Sequence, residues 1–178
     1  MIQSILIFNH HGKPRLSKFY KHYPTEMQQQ IVRECFQLVS KRPDNVCNFL
    51  DGGSLLGGSD TRLIYRHYAT LYFVFAVDAS ESELGILDLI QVFVETLDSR
   101  FENVCELDII FHVDKVHHIL DDIVMGGMVL DTSLSSILVH IDGQDKILKG
   151  EGSSFLQQVS NSKAAEKVKA LGSRLSHH

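Results

Sequence analysis

The order of elements read from the sequence, β-β-α-β-β-β-α-α-α, predicts an α/β (α+β) layer sandwich, with a five-stranded, mainly antiparallel sheet covered by helices on both faces. Three observations predict it. The chain opens with two strand-length runs around Asn9-His10-His11-Gly12-Lys13, where Gly12 can take the positive φ of a short hairpin connection. Leu71 to Val77 is an unbroken apolar run rich in β-branched and aromatic residues, as in a strand covered on both faces. From Glu83 to Phe101 the polar residues Asp88, Gln91, Glu95 and Asp98 form one narrow stripe, the pattern of a helix covered on more than one side.

Taken in order, strands at 2–9 and 14–20 make the first hairpin. After Pro24, Thr25 and Gln28 have the spacing of a capping box, and Met27, Ile31, Cys35 and Leu38 mark the apolar face of an amphipathic helix ending near Pro43. A strand-like segment at 46–51 leads through a glycine-punctuated loop at 52–60 into strands at 61–68 and 70–78. The helix at 83–101 carries more apolar surface than a lone domain usually leaves on one helix. Two explanations stay open: a permanent partner covers it, or it is sunk in the chain's own core. A further helix at 106–125 places Ile110, Val113, Val116, Leu120 and Ile123 or Val124 on one face and ends in a left-handed cap at Gly126-Gly127. A short helix at 133–142 follows. From Lys149 the composition turns to Gly, Ser, Lys, Gln and Ala, so one domain over 1–148 and a flexible tail over 149–178 are expected, with His177-His178 resembling a tag remnant.

Composition narrows the function. Hydrophobic content of 44% and charged content of 22% are those of an ordinary globular domain. A net charge of −5 with 17 Lys and Arg gives no basic footprint for nucleic acid, so anion recognition has to be local. Cys35, Cys47 and Cys105 are odd in number and widely spaced, which suits a reducing compartment better than a disulfide framework. The N-terminal apolar run Ile5-Leu6-Ile7-Phe8 has strand length rather than signal-peptide length, and no lipidation motif is evident. Membrane contact is therefore expected through partners.

Sites of chemistry are weakly represented. His10-His11 and His117-His118 are adjacent pairs expected to point apart, without a Cys or carboxylate at ligand spacing, so neither metal nor cofactor is expected. Asp121-Asp122 reads as a solvated helix face. The glycines at 52–58 lack the Lys that would follow in a phosphate-binding loop. Cys105 lacks a recognisable base and is expected to be a buried, inert thiol. A catalytic role is not expected.

A likeness runs through most of residues 1–140. Met1-Ile2, Ile5-Leu6-Ile7, Gly12-Lys13, Arg15-Leu16, Ile64-Tyr65-Arg66, Tyr68-Ala69, Leu71-Tyr72-Phe73, Val77-Asp78, Phe93-Val94-Glu95 and the run Phe101-Glu102-Asn103-Val104-Cys105-Glu106-Leu107-Asp108 resemble the sigma family of clathrin-adaptor small subunits. The insert at 52–58 looks like that of the type-three adaptor complex.

The resemblance implies a longin-like fold held against a large delta-type subunit, in a heterotetramer with beta and mu subunits. It implies sorting of membrane cargo from endosomes or the trans-Golgi towards lysosomes and related organelles, by a cytoplasmic complex recruited to those membranes with a small GTPase. Cargo would be tails bearing acidic dileucine signals. By position, the leucine pocket would be Ala69, Leu71, Val94, Asn103, Val104, Leu107 and Ile109, with aliphatic walls and Asn103 as the polar orienter. Arg15 matches a basic residue that meets the signal's acidic side chain, and His10 stands where relatives carry a second arginine, giving a weaker charge at neutral pH. The competing readings are another longin-type trafficking component, either a tethering-particle subunit or a SNARE regulatory domain. A SNARE would need a heptad helix after residue 140, and the sequence there lacks one.

Overall fold

A computed structural model describes residues 1–43, 48–52, 60–147 and 150. The chain divides into two compact units, Met1–Ile137 and Leu138–His178. The expected glycine loop at 53–59, Cys47, the start of the strand at 46–51 and the tail over 151–178 lie outside the described residues.

The first unit is organised by strands β1 (Ile2–Asn9), β2 (Pro14–Phe19), β3 (Phe49–Asp51), β4 (Thr61–Tyr68) and β5 (Leu71–Asp78), in the spatial order β2-β1-β5-β4-β3. Every pairing is antiparallel. The central pair sets Ile5 opposite Phe75, Ile7 opposite Phe73 and Asn9 opposite Leu71. Because side chains alternate along a strand, each strand feeds two cores. Leu6 and Phe8 of β1, Leu63 and Tyr65 of β4 and Val74 and Ala76 of β5 pack with Ile31, Val32, Cys35 and Val39 of helix α1 (Thr25–Ser40). The intervening residues, among them Ile5, Ile7, Ile64, Phe73 and Phe75, face the opposite way and are fully buried. Phe73 meets Phe93 of helix α2 (Glu83–Phe101) edge to face, with ring centroids 6.0 Å apart.

The predicted layers and five-stranded sheet are thus present, with differences at the element ends. Thr25 and Gln28 form no capping box, because Pro24 occupies the N-cap position, and the Gln28 amide instead donates to the Tyr23 carbonyl at 2.9 Å. The helix expected over 106–125 is two, α3 (Glu106–Phe111) and α4 (Val113–Ile123), broken where His112 leaves helical geometry at φ −123° and ψ 37°. Gly126-Gly127 does not cap a helix. With φ of 59° and 81° these glycines form the two-residue turn between β6 (Val124–Met125) and β7 (Met128–Val129), a turn that needs positive φ at both positions. Helix α5 runs over 134–147, longer than expected; its first turn is closed by the Ile137 amide donating to the Ser133 carbonyl at 3.0 Å, and Gly143 does not end it.

The apolar excess of α2 is absorbed by the chain itself. Ile86, Leu89, Ile90, Phe93, Val94 and Leu97 are all buried, and of its large apolar side chains Leu84 in the first turn is the one strongly exposed. A partner is not required to cover this helix. Exposed apolar residues gather in two other places, Leu107, Ile110, Phe111 and Val113 on α3 and the start of α4, and Met125, Met128, Val129 and Leu130 at the β6–β7 hairpin.

Gly127 is the most closely approached of the described glycines. Its carbonyl accepts from the Ile2 amide at 2.9 Å, and a Cβ there would lie 2.3 Å from the Ile2 carbonyl oxygen, whereas Gly126 has open space. Gly127→Ala is expected to lower the denaturation midpoint much more than Gly126→Ala, which carries only the positive-φ cost of about 1 kcal/mol. Equal losses in urea unfolding would show that the approach to Ile2 is not a constraint.

Candidate functional site

The residues nominated by resemblance divide into two tiers by burial. Leu71, Val94 and Ile109 are buried, at 4%, 5% and 0% exposure, so they belong to the core or to the floor of a site. Ala69, Asn103 and Leu107 are exposed and Val104 is half-buried. Ala69 sits in the β4–β5 turn at φ 52°. Asn103 follows the C-cap Glu102, and both take left-handed φ, 78° and 51°. Asparagine tolerates that region better than most residues, which gives Asn103 a backbone reason for being there beside any ligand role. Asp98 secures the turn by accepting the Asn103 amide on its carbonyl at 3.3 Å and the Val104 amide on Oδ1 at 3.0 Å. Cys105 is exposed rather than buried, since it is the N-cap of α3, and its amide donates to Asp108 Oδ2 at 2.9 Å. That bond is the main reason the Asp108 carboxyl lies below its ordinary range.

Arg15 is not an isolated surface charge. Its Nε donates to Glu106 Oε1 at 2.7 Å, its Nη2 lies 2.6 Å from the same oxygen, and both side chains are only about one-fifth exposed. Asn9 Nδ2 donates to that oxygen as well, at 3.0 Å. Asn9 is itself fixed, because it is 4% exposed and its Oδ1 accepts the amides of His11 and Lys13 at 3.0 Å each. The hairpin turn and the first residue of α3 are thereby joined through one carboxylate. Sequence reasoning missed both Asn9 and Glu106; the signal was present only as a Glu at the start of a helix, which favours an acid there on dipole grounds without naming a partner. His10 is exposed; its ring lies 3.8 Å, centroid to centroid, from that of His11. The two rings do not point apart, because they stand in the turn and not in a strand.

Elsewhere, Asp121 is not merely solvated: it accepts from Lys18 Nζ at 2.8 Å, tying α4 to β2. Burial pushes the Cys35 thiol up to about 12, as befits an inert core cysteine. Clefts among the described residues include one of about 280 Å³ at the end of α1 beside Tyr65 and Tyr72 and another of about 340 Å³ between β2 and α1. Neither is lined by the nominated pocket residues. Among the described residues no group of three or more His, Cys, Asp or Glu is disposed to hold a metal, and no helix is long and apolar enough to cross a membrane.

The family described as "Clathrin adaptor complex small chain" matches residues 1–148, so the chain, with its two-sided antiparallel sheet, belongs to it. Within it the chain is similar to the human protein named AP-3 complex subunit sigma-2, 71% identical over 152 residues covering 85% of this chain and 79% of that one. It is also similar to the AP-3 complex subunit sigma of Dictyostelium discoideum, 63% identical over 85% of this chain and 90% of its counterpart. A homology model of the full-length AP-3 complex in a stretched open conformation contains a chain with TM-score 0.66 and 40% identity, covering 86% of this chain and 99% of that one.

The Glu106 carboxyl lies below the ordinary glutamate range, chiefly because Arg15 donates to it, with Asn9 and the nearby His10 helping and desolvation opposing. A carboxylate depressed in this way stabilises the fold fully above its unfolded pKa, and that contribution is lost as pH falls through its lower folded value. Arg15→Gln is expected to move the Glu106 carboxyl titration, followed by carbon-13 NMR, to higher pH. An unmoved titration would separate the two residues in solution.

Proposed function

We propose that this chain is a non-catalytic small subunit of a heterotetrameric adaptor complex that sorts membrane cargo. In this reading it packs against a large delta-type subunit, with beta and mu subunits completing the assembly, and helps read acidic dileucine signals bound for lysosomes and related organelles. The complex would be cytoplasmic and peripheral on Golgi, endosomal and vesicle membranes.

The observation that carries the cargo role is the placement of a cation beside apolar side chains. Asn9, bonded to Glu106, is the cross-strand partner of Leu71, and Leu107 follows Glu106 directly. An acidic side chain held at Arg15 would leave the rest of an extended peptide running over Val104 and Leu107, above Leu71, Val94 and Ile109. Two buried leucines contribute roughly 3–6 kcal/mol, much of which the ordering of a flexible peptide takes back, so affinity of micromolar order and reliance on several simultaneous contacts follow.

The observation that carries subunit assembly is the exposure of Ile110 and Phe111 on α3, at 39% and 75%. Aromatic and aliphatic groups left in water at this density are what a neighbouring subunit covers.

Two substitutions test these roles apart. Phe111→Ser should leave the melting temperature of the chain nearly unchanged, because the ring is exposed, yet abolish co-purification with the large subunit. Retention of the complex would reject the α3 interface. In the assembled complex, Leu107→Ser should weaken acidic dileucine peptides about tenfold in fluorescence anisotropy, as expected for loss of one buried leucine contact. A peptide with both leucines replaced by alanine should not bind at all, and equal capture of that peptide would reject dileucine recognition. Leu71 and Val94 are unsuited to such tests, since a charge at either buried position would unfold the core.

A further inference from the structure

The cation that would receive a signal's acidic side chain already holds a carboxylate. Arg15 turns its Nε–Nη2 edge, the edge best suited to a carboxylate, towards Glu106, and both nitrogens converge on Oε1 at 2.7 and 2.6 Å. A guanidinium edge binds a carboxylate best when two parallel N–H groups meet two separate oxygens. Here two N–H groups and the Asn9 amide share one oxygen, so Arg15 is occupied but not in its strongest arrangement. A free carboxylate arriving from solvent can offer both oxygens to the same edge. Glu106 can meanwhile keep its Asn9 bond, because Asn9 is anchored by two turn amides and does not depend on Arg15 for its position.

The charge balance of the turn points the same way. His10, His11, Lys13 and Arg15 stand in or next to the hairpin turn, and Glu106 is the carboxylate bonded to it. With the resident carboxylate in place the turn is partly neutralised. Once the guanidinium edge is released, it presents a full cationic site beside the exposed Leu107.

We propose that Glu106 is a specificity-setting residue, a resident carboxylate that occupies the acid subsite at Arg15 and must yield it to the acidic side chain of an incoming peptide. This rests on the cargo reading above. Its consequence is selective: acidic signals pay for displacing Glu106 and neutral ones do not, so the residue lowers the advantage of acidic signals by a fixed factor and keeps Arg15 oriented while the site is empty.

The test is a double-mutant cycle in the assembled complex, using fluorescent dileucine peptides that carry Glu or Gln at the upstream position. Glu106→Gln is nearly isosteric and keeps an amide oxygen for Asn9, so the fold should persist with a small loss of stability; co-purification of all subunits and a single cooperative melting transition lowered by only a few degrees check that. The expected result is a gain of about two- to fivefold for the Glu peptide and no change for the Gln peptide, in line with removal of one partly exposed ion pair. In an Arg15→Gln background the same substitution should have no effect on the ratio of the two peptides. A loss of affinity for the Glu peptide on Glu106→Gln, or an unchanged ratio, would overturn the proposal while leaving the cargo reading intact. A wild-type complex that binds neither peptide would overturn the cargo reading and this inference with it.

Discussion

The strand pair β1–β5 is buried on both faces, and that constraint organises the first unit. Ile5, Ile7, Phe73 and Phe75 on one side, and Leu6, Phe8, Val74 and Ala76 on the other, have to be covered at once, which demands α1 on one face and α2 on the opposite one. At roughly 25 cal/mol for each Å² of apolar surface removed from water, neither layer can be spared. Helix α2 is apolar over most of its circumference because the sheet and α4 enclose it, so the exposed apolar surface among the described residues lies elsewhere, chiefly on α3, the start of α4 and the β6–β7 hairpin.

Helix α3 is too short to persist on its own, as helices below about 12 residues are marginal in water. It is held from outside by the left-handed turn through Glu102 and Asn103 at one end and by the bonds from Arg15 and Asn9 to Glu106. The same contacts place its apolar stripe outward and set the hairpin cation beside Leu107. In the proposed reading, structural anchoring and ligand recognition draw on one set of side chains, and the Glu106 carboxylate holds α3 when no ligand is bound.

The sheet was legible in the sequence because alternation, glycine placement and the Leu71–Val77 run are local signals. Less legible were features decided by three-dimensional competition. Gly126-Gly127 satisfied the rule for a helix cap and the rule for a hairpin turn equally well, and the β6–β7 pairing together with the Ile2 amide decided between them. The break at His112 has no Pro or Gly to announce it. The surplus of α2 admitted a partner or a core, and only packing could choose. For the candidate site, resemblance nominated Arg15, but Glu106 and Asn9 are separated from it by long stretches or by a turn, and no spacing rule connects them.

The covered α2 and the exposed α3 underlie the proposed reading that this chain folds on its own core and offers α3 to a neighbouring subunit. Hydrogen–deuterium exchange on the isolated chain and on the assembled complex tests it most directly. The account predicts that amides of 86–97 are equally protected in both, while those of 107–113 gain protection only in the complex. Gain of protection in 86–97 with 107–113 unchanged would contradict it.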